Sequence, residues 1–459
     1  MKNNKINRRK FLKWNLATAL GSSSLLQVLD GVSTAHAASI NDEYKALVCV
    51  FLFGGNDSFN MIAPKNNSAY NQYANVRQGI AINRNELLAI SPQTYDDGNT
   101  YGFHPIMTEI QQLFNQNKLS VIANVGTLAE PLTKAQYEAK SKKIPPQLFS
   151  HADQQDLWMK ANTDTINPYG WAGRMTDFLY PNPSLSPLPA VNLTTWQANL
   201  WQAGIKHSMY EIPADGVEPL YFPWHAGDYA MEQAYRDLYQ LGTNDDHILL
   251  SQFAETQQRS DSLTEIINNA LKDAPTFATK FPNNNRLGKQ LEMVAKLIAI
   301  RDNLDSNITR QIFFVGLGGW DTHDNQTAKH SQQLGHLSKS LNAFYAALEE
   351  QGISNQVTTF TASEFGRSMT PNNNGTDHGW GGHNLVMGGS VNGGDIFGTM
   401  PKLQQNSPDA VEDGRIIPTS SVEQYAATMA SWFGLSSSEI NSVFPNLHRF
   451  PVKNLGFLS

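Results

Sequence analysis

The sequence predicts an α/β domain built on a mostly parallel sheet. Short apolar runs recur along the chain, each closing on a glycine- or acid-bearing turn, and amphipathic helical stretches separate them. The chain is also long, at 459 residues with 40% hydrophobic content, which suffices for one large core.

The elements follow in order. Ala46–Phe53 is continuous and apolar, as expected of a strand buried on both faces. Leu119–Val125 is a second such run, ending at Gly126, and Asn192 with Leu193 starts a third after the proline-rich stretch 181–189. Gln311–Leu317, Val357–Ala362 and Asn384–Met387 complete the strand set. Helices are expected over Ile106–Asn115, Asp153–Ala161, Ser331–Glu350 and Val422–Phe433. Residues 231–304 read as almost wholly helical, with Leu287, Leu291, Val294 and Ile298 on one face. They form a helical insertion that packs beside the sheet and roofs the site, or else ordinary crossover helices.

The N-terminus reads as an export signal. Arg8-Arg9 lies in a basic stretch, a mildly apolar segment follows from Trp14 to Leu29, and Ala35-His36-Ala37 supplies a small-x-small cleavage pattern. Residues 1–37 are therefore a twin-arginine signal peptide read by that export machinery, and 38–459 the α/β domain. A periplasmic or secreted protein is expected, with no membrane span once the signal is removed, since the segment is weakly apolar and carries Asp30.

Six of the 34 basic residues and one of the 41 acidic ones lie in the signal, leaving 28 against 40 and a net charge of −12. So acidic a surface argues against nucleic acid and anionic lipid as partners. The single cysteine, Cys49, falls inside the first strand, so it reads as a small buried hydrophobe.

Candidate chemistry gathers where strands end. Asp57 follows the first strand in Gly54-Gly55-Asn56-Asp57, although an aspartate there also serves as a turn residue or helix N-cap. Asp321 and His323 follow Gln311–Leu317 on a loop opened by Gly318-Gly319, and Glu364 follows Val357–Ala362. Asp377, His378 and His383 lie in a glycine-rich loop soon after. Carboxylates and imidazoles delivered to the carboxyl edge of an open sheet make a divalent metal site, for zinc, calcium or magnesium. His330 and His336 fall in a polar helix and read as solvated. Ser150 stands at the N-cap of a helix after Pro145-Pro146, where a hydroxyl caps or, with a metal nearby, serves as a nucleophile toward an anion.

Together with the export signal, several segments resemble the bacterial domain of unknown function 1501 family. They are Phe53-Gly54-Gly55-Asn56-Asp57, Ser150-His151 with Gln155-Asp156, Gly170-Trp171 with Gly173-Arg174, Gly319-Trp320-Asp321-Thr322-His323, Ser363-Glu364-Phe365-Gly366-Arg367 and Gly375-Thr376-Asp377-His378-Gly379. The resemblance spans essentially all of residues 38–459. That family is similar in fold to the alkaline phosphatase and sulfatase superfamily, which implies a three-layer sandwich with a mostly parallel central sheet. It further implies Asp57, Asp321, His323, Glu364 and either His378 or His383 as metal residues for one or two ions, and Ser150 as nucleophile. Two departures bear on the second ion: Asp321 and His323 are two apart rather than four, and Phe365 stands where a paired histidine belongs. Neither Cys49 nor Ser150 is followed by the proline and arginine of formylglycine sulfatases. Arg174 and Arg367 are candidates for holding the anionic group, or for structural ion pairs. The expected function is hydrolysis of phosphate or sulfate esters. The alternative is a non-catalytic periplasmic binding or assembly protein on a degenerate hydrolase fold.

Overall fold

A computed structural model describes residues 43–163, 167–182, 188–194, 199–207, 209–216, 229–243, 248–304 and 308–459. The expected signal peptide, 1–37, lies outside them. No helix among the described residues is long and apolar enough to cross a membrane.

A nine-stranded sheet runs through the molecule. Its strands in chain order are β1 (Lys45–Leu52), β2 (Leu119–Gly126), β3 (Ala190–Asn192), β4 (Tyr210–Glu211), β5 (Arg310–Leu317), β6 (Val357–Ala362), β7 (Gly382–Met387), β8 (Ile396–Gly398) and β9 (Ser420–Ser421). The spatial order is β8-β2-β7-β6-β1-β5-β3-β4, with β9 also paired to β2. β1 pairs in parallel with β5 on one side and β6 on the other. The departure from a parallel sheet is β7, which runs antiparallel to both β2 and β6. No crossover helix separates β6 from β7; a small hairpin, Arg367–Pro371 with Thr376–His378, takes its place and lets the chain reverse.

Helices cover both faces. They are α1 (Asn67–Arg77), α2 (Thr108–Asn115), α3 (His151–Lys160), α4 (Trp171–Leu179), α5 (Tyr229–Gly242), α6 (Ile248–Lys272), α7 (Arg286–Ala299), α8 (Gln326–Glu350) and α9 (Val422–Phe433). The pleat of β1 divides its side chains between two cores. Val48, Val50 and Leu52 join the core packed by α2, α6, α7 and α8. Leu47, Cys49 and Phe51 join the one packed by α3, α4 and α9. The result is the expected three-layer α/β sandwich.

Within the expected helical region 231–304, α5, α6, α7 and Arg301–Leu304 are helices, whereas residues 273–285 between α6 and α7 are not. Leu287, Leu291, Val294 and Ile298 of α7 belong to the same core as β1 and β5, so α7 is part of the helical layer on one face. α9 is bounded by its own residues: Ser421 and Gln424 form a capping box at its start, and Gly434 stops it at φ +118°.

Candidate metal centre

The parallel pairing of β1, β5 and β6 puts their carboxyl ends at one edge, with Leu52 opposite Leu317 and Phe51 opposite Ala362. The loops leaving these strands therefore start side by side. They are held very close: Gly54 adopts φ +124°, and a Cβ there would lie 2.3 Å from the Asp321 amide nitrogen, so only glycine fits. The hairpin after β6 sets Arg367 opposite His378. The start of α3 adds His151.

Four side chains converge: His151, Asp321, His323 and His378. The His323 Nε2 lies 3.0 Å from Asp321 Oδ1 and 3.0 Å from His378 Nε2. His378 Nε2 is 3.5 Å from Asp321 Oδ1, and His151 Nε2 is 3.5 Å from Asp321 Oδ2. Ligand atoms of His151, Asp321 and His378 lie within 4.8 Å of one another. Zinc bonds of 2.0–2.1 Å in a tetrahedron put neighbouring ligands about 3.3 Å apart, which these separations approach.

Each imidazole is held by its far nitrogen. His151 Nδ1 faces Glu364 Oε1 at 2.8 Å, His323 Nδ1 faces Asp377 Oδ1 at 3.2 Å, and His378 Nδ1 faces the Phe149 carbonyl at 2.6 Å. Each of these partners only accepts, so each Nδ1 carries a hydrogen, and in the neutral form of each ring Nε2 keeps its lone pair. Metal-binding histidines are oriented in this way. Phe149 aims its carbonyl from a left-handed conformation, φ +74°, which costs a bulky residue about 1–3 kcal/mol.

Electrostatics support the same set. Burial works against the Asp321 charge, but the Arg367 guanidinium, 2.9 Å away, outweighs it and holds the carboxyl below the usual carboxylate range. The hydrogen bond that His151 donates to Glu364 raises the His151 pKa, whereas burial lowers that of His378.

The other expected residues have different places. Glu364 and Asp377 are not in the cluster itself; they anchor His151 and His323. Glu364 is fully buried and also accepts from the Gly54 amide at 2.9 Å and from Gln155 at 3.1 Å. Asp57 is fully buried and paired with Arg77 and Gln326, not with the four. Arg77, equally buried, also donates to Asn60 and to the carbonyls of Ser368 and Met369. The Asp57 charge is thus answered by a guanidinium. His383 is buried at the start of β7, where Nδ1 accepts from the Asn124 amide at 3.0 Å.

Arg367 is wholly buried, donating to Asp321 and to the carbonyls of Gly54 and Thr376. Arg174 donates to the carbonyls of Tyr169, Lys160 and Val443 and so ties down the end of α3. Both guanidiniums serve the framework, because carbonyls and a carboxylate already take their donors. Ser150 is the N-cap residue of α3, but its hydroxyl donates to Asp153 Oδ2 at 2.6 Å instead of capping.

His330 is not solvated. It is 2% exposed, with Nε2 3.0 Å from Asn56 Oδ1, because it lies on the inward stripe Gln326, His330, Leu334, Leu337 and Leu341 of α8. Burial lowers His330 and His383 to about 3 and His104 to about 4. All three are thus neutral when folded, whereas in the unfolded chain they take protons below about pH 6.5. The unfolded state binds more protons between about pH 6.5 and 4, so stability falls as pH falls through that window. His151, raised in the folded state, opposes this with a single group. Denaturation of the chelator-treated protein should show a net loss on going from pH 7 to pH 5. A stability that rises with acid would show that these histidines are not buried neutral.

A family model described as Protein of unknown function (DUF1501) matches residues 225–441. The matched stretch is just under half of the chain. It contains Asp321, His323 and His378 with their supports Glu364, Arg367 and Asp377, whereas Asp57, Ser150 and His151 precede it. No curated protein matches the chain in sequence. Among solved structures the chain is similar to Ps i-CgsB in complex with k-i-k-neocarrahexaose, at 9% identity and a TM-score of 0.37, covering 90% of this chain and 75% of that one. It is similar to the C-terminal periplasmic domain of EcEptC from Escherichia coli in complex with Zn, at 9% identity and a TM-score of 0.31, covering 86% and 84%. A third is BT1596, a 2-O GAG sulfatase, at 9% identity and a TM-score of 0.30, covering 88% and 75%.

Proposed function

We propose that this protein holds one divalent ion, of the zinc type, at His151, Asp321, His323 and His378, and hydrolyses phosphate or sulfate esters there. The observation that carries the reading is the anchoring of all three Nδ1 atoms, which leaves three Nε2 lone pairs beside one carboxylate. Three nitrogens and an oxygen suit zinc, whereas calcium and magnesium take oxygen ligands. One ion is favoured over two because Asp57 is neutralised by Arg77.

An ion bound there supplies Lewis acidity to an ester oxygen. Arg367 keeps Asp321 ionised and oriented. Ser150 stands between Phe149 and His151, both joined to the site, and its hydroxyl already donates to Asp153. Attack by the Ser150 oxygen on the phosphorus or sulfur would pass that proton to Asp153 and break the bond to the alcohol, whose oxygen would take a proton from water; a second water would then cleave the seryl ester.

Elemental analysis followed by a panel of phosphate mono- and diesters and sulfate esters tests the reading. Ser150→Ala should keep the metal and lose turnover by about 10³-fold or more. Its stability should barely change, since the hydroxyl caps no helix nitrogen. Full activity in that variant removes Ser150 from the chemistry. The binding-scaffold reading is favoured by one observation, the commitment of Arg174 and Arg367 to framework partners. Metal retained without turnover of any ester would decide for it.

Twin-arginine export to the periplasm or beyond is part of the same proposal, resting on Arg8-Arg9 and the cleavage pattern. Replacing both arginines with lysine should leave the precursor in the cytoplasm on fractionation. Unchanged export would point to another route.

A further inference from the structure

Arg415 has no place in the reading above, yet it reaches one of its ligands. It lies on the short strand Arg415–Ile416, outside the main sheet. Its Nε donates to the His378 carbonyl at 2.9 Å. Its guanidinium lies over the Phe149 ring, 4.4 Å from the centroid. Phe149 in turn accepts the His378 Nδ1 hydrogen through its carbonyl at 2.6 Å. The three residues therefore close a ring of contacts: His378 imidazole to Phe149 carbonyl, Phe149 ring to Arg415, and Arg415 to His378 carbonyl.

This ring holds His378 by its backbone and its side chain at once. It also explains how a phenylalanine is kept at φ +74°, since its carbonyl and its ring are each fixed by a partner. Phe149 stands two residues before His151, so the same contacts bear on a second member of the cluster. The remaining Arg415 nitrogen contacts are to Glu412 at 3.3 Å and Asp413 at 3.4 Å, on the same turn. They fix the guanidinium in the plane that the aromatic ring needs.

We infer that Arg415 and Phe149 form a clasp that positions His378 for the ion, with Arg415 a positioning residue for metal affinity. The inference rests on the metal reading of the site. The clasp fixes the imidazole before the ion arrives, so its loss shows in affinity, and disturbing a metal histidine's supports typically weakens binding 10- to 100-fold.

The test is zinc affinity by competition against a chromophoric chelator, with the visible spectrum of the cobalt-loaded protein as a second readout. Arg415→Gln should weaken zinc binding by about 10- to 100-fold and shift the cobalt bands. Arg415→Lys should not recover it, because an ammonium has neither the planar face nor the Nε donor. Phe149→Gly keeps the carbonyl and relieves the backbone, but loses the ring under Arg415. It should weaken binding as well, and the double variant should lose less than the two single losses multiplied together. Chelator-treated Arg415→Gln should unfold at a denaturant midpoint close to that of the wild type. Unchanged zinc affinity and cobalt spectrum in Arg415→Gln overturn the clasp while leaving the ion in place. A matching loss of metal-free stability overturns positioning in favour of a general structural role. If the folded wild type takes up no zinc or cobalt, the metal reading fails and the clasp fails with it.

Discussion

Asp321→Ala protein should emerge from purification without its ion and without ester turnover. Asp321 is the hub of the cluster: Oδ1 is 3.0 Å from His323 and 3.5 Å from His378, and Oδ2 is 3.5 Å from His151. It also supplies the charge that three neutral imidazoles lack, so its loss should exceed the 10- to 100-fold expected for an outer partner such as Asp377→Asn. Part of the damage will be to the framework, since Arg367 is buried and keeps only carbonyl and hydroxyl partners. Asp321→Asn separates the two effects by keeping the shape while removing the charge. Metal content equal to wild type in both variants would discard the cluster as a metal centre.

Arg77→Ala should destabilise the protein by about 3–5 kcal/mol, because it strands the fully buried Asp57 carboxylate without a counter-charge. Pairing the change with Asp57→Asn should recover much of that loss, since the unpaired charge goes with it. Urea titration of the four proteins closes the cycle. A loss within about 1 kcal/mol for Arg77→Ala would mean that the pair is not structural. A rise in bound metal to two equivalents in Arg77→Ala would instead return Asp57 to the ligand set.

The strands that carry the site were legible because their sequences are continuous and apolar. Val357–Ala362 is matched residue for residue, and Gln311–Leu317 differs from β5 by one residue. Asp321, His323 and His378 stood out as ligand types on glycine-rich loops at strand ends, and they do meet. His151 was hidden by its neighbour: at a helix start, Ser150 offered the more familiar chemistry. What separates Asp57 from Asp321 cannot be read locally. Both follow β-strands and glycines, yet one faces imidazoles and the other faces Arg77, which lies on a helix twenty residues further on. The burial of His330 was legible in principle, through the four-four-three-four spacing from Gln326 to Leu341, but its polar flanks outweighed that stripe. The reversal of β7 depends on the hairpin at Arg367–His378, which no strand pattern marks.

Cys49 turns the middle of this fold into a reporter. It is the single sulfhydryl of the chain, wholly buried in β1, and burial pushes its thiol well above the usual range. Its side chain faces the core packed by α3, α4 and α9, so a thiol reagent can reach Cys49 only when that helical layer opens from the sheet. Where reclosing outpaces modification, the labelling rate then measures how rarely the core opens. A ligand that binds only the closed form slows labelling by one plus its concentration over Kd, so an ion at the edge of the sheet can be weighed from a probe in its middle. With no second sulfhydryl to pair with in the same chain, the fold needs no oxidising surroundings to form.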